Sequence, residues 1–368
     1  MRPDQIQPEQ YHAQLTDKLT DLNSLLQEVA LPAAEIFESA PAYYRMRAEF
    51  RIWHADTDMY YAMFDSSDPR TPIRVDQFPV ASRLINELMP KLLLAIKDVA
   101  VLRHKLFQVD FLTTQTGEAL ISLLYHKPID EEWRTAAAAL YETFPACHFV
   151  GRSRKKKMVL TRDFVMETLT VKGQKFHYQQ VENSFTQPNA GISEKMLEWA
   201  LDVTQAASGD LLEMYCGNGN FSIPLARGFE RVVATEISKI SVNSAQLNIA
   251  INGMSNIEVV KMASEDVAAA LNGEVALPKQ LVQAGVESLS PSVVLVDPPR
   301  AGLDAATIEL VRQVDNILYI SCNPETLKHN LLALSDTHKV DRFAVFDQFP
   351  YTHHIECGVY LSRLAANN

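Results

Sequence analysis

From about residue 190 the sequence alternates short apolar runs with amphipathic stretches, and this alternation restricts the fold more than any other feature. Runs at 210–215, 231–235, 257–262, 293–296 and 317–321 read as strands. Between them, 193–203, a stretch from Phe221, 242–251, 265–271, 305–314 and a stretch opening at Pro324 read as helices. Two further strand-like runs, 342–346 and 356–361, close the chain. Such alternation builds a parallel sheet with right-handed crossovers. Ligands of such a sheet bind beyond the carboxyl ends of its strands. The expected class is α/β for this part of the chain.

The first half reads differently. Residues 5–28 form an amphipathic helix pattern, with Tyr11, Leu15, Leu19, Leu22 and Leu26 at three- and four-residue spacing. Residues 43–180 mix strand-like runs (50–54, 119–125, 158–160) with helical stretches (80–100, 130–144), which points to an α+β domain. A length of 368 residues suits two domains, expected at 1–180 and 181–368. Hydrophobic residues at 47% and charged residues at 21% exclude disordered and fibrous classes. The apolar stretch 89–97 is interrupted by Lys91 and Lys97 and falls far short of the ~20 residues that span a bilayer. The start, MRPDQIQPEQ, has no apolar core of a secretion signal. A cytoplasmic protein with no membrane partner is expected, and a monomer.

The net charge of −11 is unevenly spread. Residues 1–180 are nearly neutral, at −1, and residues 181–368 carry −10. The first half holds Arg152-Ser153-Arg154-Lys155-Lys156-Lys157, five positive charges in six residues. It also holds Tyr43-Tyr44-Arg45-Met46-Arg47-Ala48-Glu49-Phe50-Arg51, where basic and aromatic residues interleave. A charge run is usually only a solvated face. Aromatics between the arginines make a surface that stacks bases and contacts phosphates, which brings Arg45, Arg47 and Arg51 forward as RNA contacts. His126 is a further candidate, against the commoner structural role of a lone histidine.

The first strand of the alternating region runs into Glu213-Met214-Tyr215-Cys216-Gly217-Asn218-Gly219-Asn220-Phe221. Gly217 and Gly219 permit a tight turn and close approach to a ligand. Glu236 ends the next strand, at a spacing suited to a carboxylate on a ribose. Nicotinamide, flavin and S-adenosylmethionine proteins share this pattern. Two details favour the last. Ser222 stands where a third glycine would support a pyrophosphate, and Glu213 would repel a diphosphate but suit an ammonium.

The four cysteines, Cys147, Cys216, Cys322 and Cys357, have no CxxC spacing, so neither a zinc ribbon nor an iron–sulfur cluster is encoded. His353-His354 lacks a third ligand at suitable spacing, and no metal is expected. Most lone cysteines are small buried hydrophobes. Cys322 stands apart, because it ends a strand between Ser321 and the turn-forming Asn323-Pro324. The preceding strand ends in Asp297-Pro298-Pro299-Arg300, and two prolines make that loop rigid. Adjacent strands would set the loop beside the thiol. Oxygen and nitrogen acceptors of a methyl group need only deprotonation, but C5 of uracil is a poor nucleophile. A thiolate added to C6 makes C5 enolate-like, and a base must later remove the C5 proton. Cys322 and a carboxylate in Tyr351-Thr352-His353-His354-Ile355-Glu356-Cys357 answer that need. A free thiol has a pKa of ~8.5; Arg300 and the positive end of the helix at Pro324 are expected to lower it.

Ser321-Cys322-Asn323-Pro324, Asp297-Pro298-Pro299-Arg300 and His353-His354-Ile355-Glu356-Cys357 resemble the motifs of the RNA uracil-C5 methyltransferase family. The stretch 179–189 and the Glu213–Phe221 turn match it too. The segments YRMRAEFRIWH (44–54) and RHKLFQVDFLTT (103–114) resemble its tRNA-directed branch. The resemblance implies a Rossmann-like S-adenosylmethionine-dependent methyltransferase domain behind an N-terminal α+β RNA-binding domain. It implies Cys322 as nucleophile, Glu356 as proton acceptor and Arg300 in the catalytic pocket. It implies Gln187, Tyr215, Asn220, Glu236 and Asp297 as S-adenosylmethionine contacts, and Phe107 near the displaced RNA loop. The implied substrate is the T-loop uridine of tRNA, with the T-loop-like arm of tmRNA as a second candidate. Relatives acting on rRNA are the alternative; they often carry a four-cysteine cluster and an extra barrel, neither of which this sequence encodes. Two other rivals are a nicotinamide oxidoreductase on the same turn, which needs neither Cys322 nor Glu356, and a non-catalytic RNA-binding protein, which the intact Cys–Glu pair argues against.

Overall fold

A computed structural model describes residues 5–55, 58–65 and 68–365. The first four residues of the N-terminal stretch, and the last three of the domain expected at 181–368, lie outside the described residues. Helix α1 (Tyr11–Leu26) and strand β1 (Glu35–Phe37) open the chain. Next come β2 (Arg47–Ala55), β3 (Asp58–Asp65), β4 (Asp68–Arg74), α2 (Arg83–Ile96), α3 (Ala100–Arg103), β5 (Leu106–Thr113), β6 (Ala119–Tyr125), α4 (Glu131–Ala138), β7 (Cys147–Ser153) and β8 (Lys156–Val159). A two-stranded ribbon follows, β9 (Phe164–Val171) and β10 (Gln174–Val181). The remainder runs α5 (Ala190–Val203), β11 (Asp210–Met214), α6 (Ser222–Leu225), β12 (Arg231–Glu236), α7 (Lys239–Ile251), β13 (Ile257–Lys261), α8 (Ser264–Leu271), α9 (Lys279–Gln283), β14 (Pro291–Val296), α10 (Ala305–Val311), β15 (Asn316–Ser321), α11 (Pro324–Leu334), β16 (His338–Phe346) and β17 (Glu356–Arg363). None of the helices among the described residues is long and apolar enough to cross a membrane.

The chain forms two compact units, and each is discontinuous. One comprises Met1–Glu9, Ala40–Thr168 and Gln179–Ala190; the other comprises Gln10–Ser39, Leu169–Tyr178 and Gly191–Asn368. The sequence reading drew one boundary near residue 180, whereas the backbone passes between the units several times.

The first unit is a seven-stranded sheet in the order β4-β3-β2-β5-β6-β7-β8. Its pairings are antiparallel except β6 with β7, which α4 joins as a crossover. Asp130 caps α4 by accepting from the Trp133 amide. That cap sets Trp133 fully buried over β7. A methyl group on Gly151 of β7 would lie 2.5 Å from the indole ring, so only glycine admits the tryptophan there. Along β2, Ala48, Phe50 and Ile52 face the core while Glu49, Arg51 and Trp53 face out, the alternation a half-buried strand requires.

The second unit holds the α/β fold expected from the alternation. Its eight-stranded sheet runs β1-β16-β17-β15-β14-β11-β12-β13. Strands β11 to β15 are mutually parallel. β17 is inserted antiparallel between β15 and β16. The chain order reverses between β11 and β14, the switch point where such sheets bind ligands. The core beneath gathers Met214, Val296, Tyr319, Leu327 and Cys357. The sequence reading passed over β1 and placed α1 with the wrong half of the chain. β1 is only three residues long, yet it pairs parallel with the β16 edge, Glu35 against Ala344 through Phe37 against Phe346. Helix α1 was recognised as a helix but assigned to the first half, and its Leu22 and Leu26 join the core of the second unit. Amphipathic spacing tells which face of a helix is buried, not which sheet covers it.

Gly151→Ala should destabilise the protein by about 1–3 kcal/mol through overpacking against Trp133. Denaturant unfolding is the measurement, and an unchanged midpoint would refute the contact as described.

Candidate active site

The carboxyl ends of β14 and β15 and the amino end of β17 converge in the second unit. The antiparallel ladder sets Ser321 against Cys357. Cys322 follows the last residue of β15 and Glu356 is the first of β17, so both lie just beyond that last pair. Glu356 is near enough to act electrostatically on the Cys322 thiol. Cys322 is half-buried and Glu356 is buried.

The turn after Cys322 is tightly specified. The Asn323 amide donates to Ser321 Oγ at 3.2 Å. Asn323 Oδ1 accepts from the Glu325 amide and caps α11, and Pro324 occupies the first turn. The Asp297–Arg300 loop is fastened to the same helix. The Arg300 carbonyl accepts from Asn323 Nδ2 at 2.9 Å and from Thr326 Oγ1 at 3.3 Å. Asn330 Oδ1 accepts from the Leu303 amide at 3.0 Å and from the Tyr319 hydroxyl at 2.8 Å. Gly302 adopts a left-handed φ of 75°, and a methyl group on it would lie 2.8 Å from Asn330 Oδ1. Loop and thiol are therefore held by one helix. The Arg300 guanidinium stands 3.4 Å from Nε2 of His354.

Three acids share this end of the sheet with one arginine. Burial, and then Asp297, push the Glu356 carboxyl well above its ordinary range, while Arg300 pulls it down. Burial lifts Asp297 to about 7. The Cys322 thiol is pushed up to about 11 by burial and by Glu356 and Asp297, with Arg300 acting the other way. This corrects the expectation of a lowered thiol pKa. Arg300 acts in the expected direction, but desolvation and two carboxyl groups outweigh it. Glu356 and Asp297 accept no side-chain hydrogen bond from any described residue, so their oxygens are uncommitted.

On the other side of the switch point lies the glycine turn. Tyr215, Gly217 and Gly219 all have left-handed φ, at 66°, 57° and 83°; for Tyr215 that is a strained conformation of the kind that collects at functional sites. The Glu236 carboxylate is fixed at the end of β12 by the Gly217 amide at 3.0 Å and the Ser238 amide at 2.7 Å. Asn220 Nδ2 is buried without a hydrogen-bond partner, while the Asn220 carbonyl accepts from the Tyr178 hydroxyl. A buried unpaired amide donor beside an anchored carboxylate fits a ligand rich in polar groups, such as the ribose and amino-acid ends of S-adenosylmethionine. Glu213 is not the free carboxylate the sequence suggested. It is buried, accepts a hydrogen bond from Ser222, and is raised to about 8 by desolvation and by Asp297 and Glu236. At neutral pH it holds a proton.

The remaining candidates lie in the first unit. Gln187 sits in the segment that closes on β2, where the Met46 amide donates to the Pro188 carbonyl. Phe107 falls at an irregularity in the β5–β6 pairing, between Leu106 and Gln108. His126 stacks on Phe107 at 3.8 Å and 11° between planes, and Arg51 lies over the same ring at 5.4 Å. Phe107 and His126 line a cleft of about 710 Å³ whose rim is Arg152–Lys156. Within that basic run Arg152 and Lys157 are paired with Glu182. Arg154, Lys155 and Lys156 are exposed and form no ion pair among the described residues. Arg45 and Arg47 are differently placed. Arg45 Nε donates to the Arg47 carbonyl and Arg47 donates to the Ser184 carbonyl, so both side chains are committed to backbone.

Sequence reasoning missed Asn323, Thr326, Asn330 and Gly302 as the clamp on the Arg300 loop. Only Asn323-Pro324 carried a local signal, a cap followed by proline. Asn330 is an ordinary helical residue until its partner is known.

With a cysteine and a carboxyl at the strand ends of a doubly wound sheet, and a glycine turn with an anchored acid across the switch point, the chain is an S-adenosylmethionine-dependent methyltransferase. Residues 10–364 match the family described as tRNA (Uracil-5-)-methyltransferase. The tRNA/tmRNA (uracil-C(5))-methyltransferase of Marinomonas sp. (strain MWYL1) is 77% identical over 366 residues, covering 100% of both chains. The protein of the same name from Vibrio cholerae is 55% identical, over 97% of this chain and 98% of its own. The fold is similar to the crystal structure of Pyrococcus abyssi tRNA (uracil-54, C5)-methyltransferase in complex with S-adenosyl-L-homocysteine. The TM-score is 0.72 at 21% identity, over 95% of this chain and 83% of that one. The chain belongs to the tRNA (uracil-5-)-methyltransferase family.

Because the folded state raises Glu213, Asp297 and Glu356, it binds more protons than the unfolded chain. Their contribution to stability is complete below about pH 4, the carboxylate range of the unfolded chain, and is lost as pH rises through about 7 for Asp297 and about 8 for Glu213. Glu213→Gln, which can still accept from Ser222, should lose less stability than wild type between those limits. Thermal unfolding followed across pH tests this, and parallel curves for the two proteins would contradict it.

Proposed function

We propose that this chain methylates C5 of the T-loop uridine of tRNA, uridine 54, with Cys322 as nucleophile and Glu356 as base, and that it also accepts the T-loop-like arm of tmRNA. The convergence of Cys322 and Glu356 at the end of the β15–β17 ladder, with the carboxyl acting on the thiol, supports the chemical reading. The names of the relatives carry the choice of RNA.

Cys322 as thiolate adds to C6 of uracil, and the electron pair moves to make C5 enolate-like. That carbon would take the methyl group of S-adenosylmethionine, whose methyl–sulfur bond breaks with its electrons on sulfur to leave neutral S-adenosylhomocysteine. Glu356 then takes the C5 proton, the C–H electrons restore the C5–C6 double bond, and the sulfur leaves as thiolate. Both groups must be ionised to act, and burial raises the pKa of both. Arg300 favours the charged form of each, which gives it a role in the pocket without contact to the methyl group. Gln187, Tyr215, Asn220, Glu236 and Asp297 would hold S-adenosylmethionine.

The target base has to leave the stack of a folded loop, at a cost of a few kcal/mol. The Phe107–His126 stack, with Arg51 above it and Arg154, Lys155 and Lys156 on the rim, suits unstacked bases and their phosphates. Arg45 and Arg47 shape the strand that carries Arg51. The same reading takes the protein as a cytoplasmic monomer.

With tRNA containing 5-fluorouracil, proton removal is blocked and a covalent protein–RNA adduct should persist, mapped by peptide mass spectrometry to Cys322. Cys322→Ala should give no adduct and no methylated tRNA. Methyl transfer surviving that substitution would rule the mechanism out. For the RNA surface, the triple alanine variant of Arg154, Lys155 and Lys156 should lower the slope of log affinity against log salt by about 2–3. An unchanged slope would exclude the rim as a phosphate contact.

A further inference from the structure

Lys18 is an anomaly on helix α1. It lies within the helix that buries Tyr11, Leu15, Leu22 and Leu26, and its own side chain is 8% exposed. A buried ammonium costs several kcal/mol unless its donors are met. All three are. Lys18 Nζ donates to Asp347 Oδ1 at 2.6 Å, to the Phe349 carbonyl at 2.8 Å and to the His354 carbonyl at 3.0 Å. Asp347 is itself fully buried. One helical turn away, Gln14 donates to Asp347 Oδ2 at 3.1 Å and accepts from the Tyr351 amide at 3.0 Å. The segment 347–355 joins β16 to β17 and ends at Glu356. It is thus gripped near both ends and in the middle by one face of α1.

That grip reaches both halves of the active site. His354 stands against Arg300, and Glu356 follows it by two residues. The same helix packs on α11, which begins beside Cys322, with Leu22 and Leu26 in the core shared by Leu327 and Leu331. A further tie joins Lys328 of α11 to Glu28 at 3.0 Å.

We propose that Lys18 is a positioning residue for the proton-removal step, holding the 347–355 segment from α1 so that Glu356 and the His354–Arg300 contact keep their place about Cys322. The proposal rests on the reading above, in which Glu356 takes the C5 proton. In that step the carboxylate gains the proton, the C–H pair re-forms the C5–C6 double bond, and the C6–S bond breaks with its electrons on sulfur. A displaced Glu356 slows this step and leaves addition of the thiolate and methyl transfer largely intact.

The test is single-turnover methylation of tRNA with labelled S-adenosylmethionine, quenched and resolved into methylated RNA bound to protein and methylated RNA released. Wild type is compared with Lys18→Met and with Lys18→Met/Asp347→Asn. The double variant strands no buried charge and so keeps the comparison open where the single variant is poorly folded. Circular dichroism and S-adenosylmethionine binding establish the folded state of each. Release should slow by about tenfold to a hundredfold in both variants, the scale of a small displacement of a catalytic group, and the methylated adduct should accumulate. Adduct formation with 5-fluorouracil tRNA should stay within about threefold of wild type, since a fold-change that small is under 1 kcal/mol. Release at the wild-type rate in the folded double variant would overturn the positioning role, because a bridge that serves only stability is replaced once neither charge is stranded. If wild type itself forms no adduct through Cys322, the proposed function fails and this inference with it; a wild-type adduct with unchanged partition in the variants sinks the positioning role alone.

Discussion

The site depends on one pairing, the insertion of β17 antiparallel between β15 and β16. A parallel sheet delivers the carboxyl ends of its strands to one edge, which is how Asp297 and Cys322 come together. It cannot deliver a residue that precedes a strand to that edge. Reversing β17 does so. Its first residue, Glu356, arrives where β15 ends, within electrostatic reach of the Cys322 thiol. The surrounding core fixes this register, because a slip of one residue would move Cys357 from the core to the wrong face and Glu356 away from the thiol.

The same convergence creates the electrostatic problem of the site. Burial raises Glu356, Asp297 and Cys322 together, and Arg300 is the cation that acts on both Cys322 and Glu356. Burial thus favours the uncharged form of all three groups. A thiol held protonated is also protected from oxidation and stray alkylation, since the thiolate is the reactive form. The clamp from Asn323 and Thr326 to the Arg300 carbonyl anchors the loop that carries the guanidinium acting on both Cys322 and Glu356.

How much of this was legible in the sequence follows from the range of each interaction. The strands of the α/β unit were readable because buried parallel strands are apolar runs, and the Asn323-Pro324 cap because its partners are two residues apart. The acids and thiol stood out because strand ends are where such sheets do chemistry. The direction of the Cys322 shift was misjudged, since motif spacing reveals which charges are near but not how much water is excluded. The buried state of Glu213 was missed for the same reason. The partition of the chain was obscured where local pattern and long-range packing part ways. A three-residue edge strand leaves no periodicity to find, and α1 shows the same face whichever sheet receives it.

Helix α1 illustrates the last point in chemical terms. Its leucines could serve any core, but Lys18 in the middle of that face could not. A lysine tolerated there implies three acceptors brought from elsewhere, and the acceptors lie more than 300 residues away in sequence. Sequence spacing alone marks Lys18 only as a break in an apolar pattern. The fold turns the break into a constraint on the loop that ends at Glu356. An element remote in sequence from every motif of the site thus holds the loop that leads into Glu356.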